Sequence, residues 1–206
     1  MKILSGILVA LTLLGLVAGC QQKTMEVTYK ELSLGSMSSS IPTQWQRPEG
    51  IEEYVGDLKS AIGSGMEQYV QVDLYEVPKS EDLALILAVV EMSNIIESEG
   101  KTWEGWESVL EAQGMTREDF PAMFLGGFIS EGVEEATEQQ KLQHTIHGCE
   151  AVEVQATGKI EGEPTLADLL VVFAGNDLGV VMMLVHESAS EEYEDSWQKI
   201  RDSVQF

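Results

Sequence analysis

Apolar and polar positions fall into three kinds of pattern along the chain. The first is an unbroken early stretch, Ile3 to Ala18, apolar apart from Ser5, Thr12 and scattered glycines and preceded only by Met1 and Lys2. The second is strict alternation. Val70, Val72 and Leu74 alternate with Gln71 and Asp73, and Val152, Val154 and Ala156 alternate with Glu153, Gln155 and Thr157. Each predicts a strand with one buried and one wet face. The third is helical spacing. Tyr193, Trp197, Ile200 and Val204 share one helical face, with acids in the first turns and Lys199 and Arg201 near the end, as the helix dipole favours. Ser188 and Glu191 have the spacing of a capping box for that helix.

Between these anchors the expectations follow from breakers. Leu32 to Trp45 reads as a short strand that turns at Pro42 and tucks Trp45 into the edge of the core. Residues 46–66 read as loop, and Val77-Pro78-Lys79-Ser80 as a turn. The run from Leu83 to Met92 lacks a decisive period. Its leucines and alanines suit a helix, but its length and the preceding turn favour a central strand. Thr102 starts a helix with Trp103, Trp106, Val109 and Leu110 on one face and Gly114 as its stop. A second helix is expected from Thr116, capped by Asp119, or from Pro121. Glu131 to Gln140 reads as its acidic, solvated tail. Leu169–Ala174, the Gly175-Asn176-Asp177 turn and Gly179–Val185 form a hairpin. The expectation is an α+β fold with a single antiparallel sheet flanked by helices.

The early apolar stretch is too short to span a bilayer, which takes about 20 apolar residues, and it has the layout of a signal peptide. It ends in Leu16-Val17-Ala18-Gly19-Cys20. That segment resembles the lipobox of bacterial lipoproteins. The resemblance implies that residues 1–19 are removed and that Cys20 becomes a lipidated, palmitate-type N-terminus on the extracytoplasmic face of a membrane. If the host is Gram-negative, Gln21 in place of an aspartate after Cys20 favours the outer membrane. The expected organisation is a signal peptide (1–19), a lipidated tether (20–30) and one domain (31–206).

Charge narrows the partners. The chain carries 35 acidic against 12 basic residues, a formal net charge of −23. Such a surface repels phosphate backbones, so nucleic acid is excluded as a partner, and it repels anionic lipid headgroups. Membrane attachment would therefore rest on acyl chains at Cys20. With Cys20 lipidated, Cys149 has no partner for a disulfide.

A Pro-Trp element (Pro42, Trp45), a Gly148-Cys149-Glu150-Ala151 segment opening a meander and the Trp197–Val204 amphipathic helix resemble the PsbP-like superfamily. That resemblance implies an α/β/α sandwich and accessory or assembly roles, without a catalytic signature.

Candidate chemistry is sparse. His144, His147 and Cys149 are zinc- or copper-ligand types. Residues three apart on a strand face opposite ways, so they need a turn at Gly148 to converge; otherwise this is a turn beside a small buried thiol. Trp103, Trp106, Phe120, Phe124 and Phe128 would line a groove for a hydrophobic ligand or partner helix, or else fill the core. No Gly-x-Ser-x-Gly elbow, phosphate-binding glycine loop or calcium loop occurs. The expected function is that of a non-catalytic envelope module that binds or assists a protein complex and needs no cofactor. A carrier of a hydrophobic ligand or metal ion is the alternative.

Overall fold

The computed structural model describes residues 27–52, 55–56, 69–77, 84–91, 105–112, 114–122, 133–160 and 162–206. Among them, β1 (Tyr29–Leu34) and β2 (Met37–Pro42) form an antiparallel hairpin of their own. Six further strands make an antiparallel sheet: β3 (Val70–Glu76), β4 (Ala84–Val90), β5 (Val133–Ile146), β6 (Cys149–Ile160), β7 (Glu163–Ala174) and β8 (Asp177–His186). Their order across the sheet is β3-β4-β8-β7-β6-β5. Helix α1 spans Trp106–Ala112 and helix α2 spans Ser190–Asp202.

The protein is mostly β, which overturns the expectation of one sheet flanked by helices. Two segments account for the difference. The acidic stretch expected to be a solvated helical tail is instead the first part of β5, hydrogen-bonded along β6 from Val133↔Ile160 to Ile146↔Cys149. Its Glu, Gln, Ala and Lys content favours helix, and pairing with β6 overrides that preference. Because β5 is an edge strand, few of its residues need to be apolar, so the alternation that marks a buried strand is missing. Two register shifts, at Glu134/Thr137 and Glu138/Gln140, break it further. The second is Leu32 to Trp45, expected as one short strand turning at Pro42: it is instead part of the β1–β2 hairpin, which packs over one face of the large sheet.

Both faces of the sheet are buried. On one, Val152, Val154, Leu169, Val171, Val180 and Met182 pack with Ile51, Trp106, Leu110 and Phe120. On the other, Leu85, Leu87, Leu170, Val172, Val181 and Met183 pack under Met37, Ile41, Trp45, Tyr193, Trp197 and Ile200. Two-sided burial explains the continuous apolar run read as β4, whose Leu85, Leu87 and Val89 are fully buried. It also corrects the wet face assigned to β6, since Glu153 is only 6% exposed.

The hairpin and α2 are stitched into one layer. Ser39 Oγ donates to the Ile200 carbonyl (3.2 Å), and the Ser40 amide donates to Ser203 Oγ (2.7 Å). Beyond α2, Ser38 and Gln205 exchange two backbone bonds, 2.8 and 2.9 Å. Gly179 on β8 leaves room for the Phe206 ring and the Met37 sulfur, which a Cβ there would strike. The start of α2 also departs from expectation. Ser188 lies inside a 3₁₀ turn (Glu187–Ala189), so the cap position falls to Ala189, without a side-chain bond.

Candidate functional site

The register of β6, β7 and β8 sets a row of polar side chains on the face beneath α2. Glu153, Gln155 and Thr157 alternate onto this face; Asp168 lies opposite Gln155, Leu166 opposite Thr157 and Met183 opposite Asp168. Above them, Glu187, Glu191, Glu194, Gln198 and Arg201 follow helical spacing down α2 and the turn before it. Together with Gln139, Ser190 and Trp197 they enclose a groove of about 550 Å³. Gln139 reaches it from the second irregularity of β5 and donates to Thr157 Oγ1 (2.9 Å).

Two buried carboxylates stand in this groove, in different states of satisfaction. Glu153 accepts from Trp197 Nε1 (2.6 Å) and from Arg201 Nη1 (3.2 Å). His144 on β5 brings Nε2 within 2.6 Å of the same carboxylate, off hydrogen-bond alignment. Burial works against the charge of Arg201, but Asp202 and Glu153 hold its pKa above the ordinary value. Asp168 is 4% exposed and accepts one bond, from Gln155 Nε2 to Oδ1 (2.9 Å). Burial pushes its pKa up to about 6. The Gln155 bond opposes that rise, Glu153 and Glu194 add to it, and Arg201 counters it.

The sequence-predicted residues are dispersed. Cys20, Trp103, Phe124 and Phe128 lie outside the described residues. Trp106 and Phe120 are buried on the opposite face of the sheet from the groove, with ring centroids 6.4 and 6.0 Å from Phe173. Trp106 also donates Nε1 to the Asn176 carbonyl (3.1 Å). His144 faces Glu153, whereas His147 sits in the β5–β6 turn with φ 48° and places Nε2 3.2 Å from the Asp202 carbonyl. Cys149, half-buried, packs against the core beneath α2. His186, opposite Thr165, lies at the other end of the strands. No group of three or more His, Cys, Asp or Glu converges as a metal set among the described residues.

The groove escaped sequence reading, although it left two signals. Asp168 interrupts the apolar run of β7, and a polar stripe runs beside the apolar stripe of α2.

By sequence the chain matches no known family model and no curated protein. By structure it is similar to the cyanobacterial PsbP (CyanoP) of Synechocystis sp. PCC 6803. The TM-score is 0.52 at 13% identity, covering 89% of this chain and 95% of that one. The fold is PsbP-like. Weaker likenesses are LpqN of Mycobacterium tuberculosis, involved in cell envelope biogenesis, and a Pseudomonas aeruginosa protein of unknown function. LpqN has TM-score 0.46 and 10% identity, covering 87% and 91% of the two chains. The Pseudomonas protein has TM-score 0.41 and 12% identity, covering 84% and 94%. The PsbP-like resemblance seen in Pro42, Trp45 and the last helix thus holds for the fold, but not for the two helical layers it implied.

Proposed function

We propose that this chain is a non-catalytic binding or accessory module, held on the extracytoplasmic face of a membrane by lipid on Cys20, that engages an envelope protein through the groove under α2. The observation that carries the reading is the groove itself: a cavity of about 550 Å³ on the sheet, walled by one helix. Membrane attachment is supported by Leu16-Val17-Ala18-Gly19-Cys20 at the end of a signal-peptide pattern. The non-catalytic reading is supported by Glu153, whose oxygens are occupied by Trp197 and Arg201. LpqN, at its low similarity, adds no weight.

The test pairs location with capture. Wild-type protein should fractionate with membranes and Cys20→Ala should not; retention of the mature variant in membranes overturns the anchor. A stoichiometric envelope protein should co-purify with wild type and be lost with Gln198→Trp, which blocks the groove mouth. Co-purification unaffected by that block removes the groove from the reading.

A further inference from the structure

We draw no further inference here: the strongest candidate, the cluster of acidic side chains around Asp168 in the groove beneath α2, belongs to the site already described, and nothing in the structure points to a ligand for it, since Gln155 holds Asp168 while Trp197 and Arg201 hold Glu153.

Discussion

Trp197 donates its indole N–H to Glu153 at 2.6 Å, joining the middle of α2 to β6, the strand next to the β5 edge of the sheet beneath it. The same carboxylate holds Arg201 one turn further along, at 3.2 Å. One acid on β6 therefore fixes both the height and the rotation of the helix that roofs the groove. Removing it strands the buried Trp197 indole N–H and leaves the partly exposed Arg201 with Asp202 alone. Glu153→Ala should destabilise by about 2–3 kcal/mol, and Trp197→Phe, which deletes one donor and keeps most of the ring packing, by about 1–2 kcal/mol. Urea unfolding of the two variants measures the difference, and near-equal losses would mean that packing alone seats the helix.

Asp168 gives stability an unusual pH dependence. Its folded value of about 6 lies above the ordinary 3.8, so between those two values the folded state holds more protons than the unfolded state. The stability it permits is present in full below about pH 4 and is lost as pH rises through 6. Two units of separation correspond to about 3 kcal/mol at most. Asp168→Asn should flatten that part of a profile of unfolding free energy against pH and raise stability at pH 7. A profile indistinguishable from wild type would count against the burial of this carboxylate.

Ser203 closes the seam between the hairpin and α2. It accepts the Ser40 amide (2.7 Å) and donates to the Ile200 carbonyl (2.8 Å). Ser203→Ala leaves the Ser40 amide without that acceptor and should cost about 1–2 kcal/mol. Faster hydrogen exchange confined to Ser40 and its neighbours on β2 would locate the loss.

Phe120→Ala should destabilise by about 3–5 kcal/mol, because the ring is buried against Trp106 and Phe173. Urea unfolding measures the loss, and a change near zero would mean that the ring is not part of the core on that face.

The β6–β7–β8 meander and α2 were legible from different signals: alternation at Val152, Val154 and Ala156 in β6, apolar runs on either side of Gly175-Asn176-Asp177 in β7 and β8, and Tyr193, Trp197 and Ile200 on one helical stripe in α2. The strand over Ala84–Val90 was also legible, from length and the preceding turn. β5 was not, since an exposed rim imposes no apolar alternation and its composition favours helix. The polar side of β6 was read as solvated because alternation reports which residues differ and says nothing of what later covers them. Glu153 becomes interior only when α2, forty residues on, folds over it. Ser188 offered a cap that the 3₁₀ turn moved out of place. The groove joins residues from four strands, a 3₁₀ turn and a helix, so no local window contains it.

The rim formed by β5 has a consequence for crowding. A protein at high local concentration meets its own copies often, and an open strand edge is the natural seed for sheet-to-sheet aggregation. Here that edge carries Glu135, Glu138 and Lys141 and is interrupted by two register shifts, with Glu135 at φ 56°. A neighbouring strand would find neither a continuous ladder nor a neutral surface, so the longest strand among the described residues is also one that resists polymerisation.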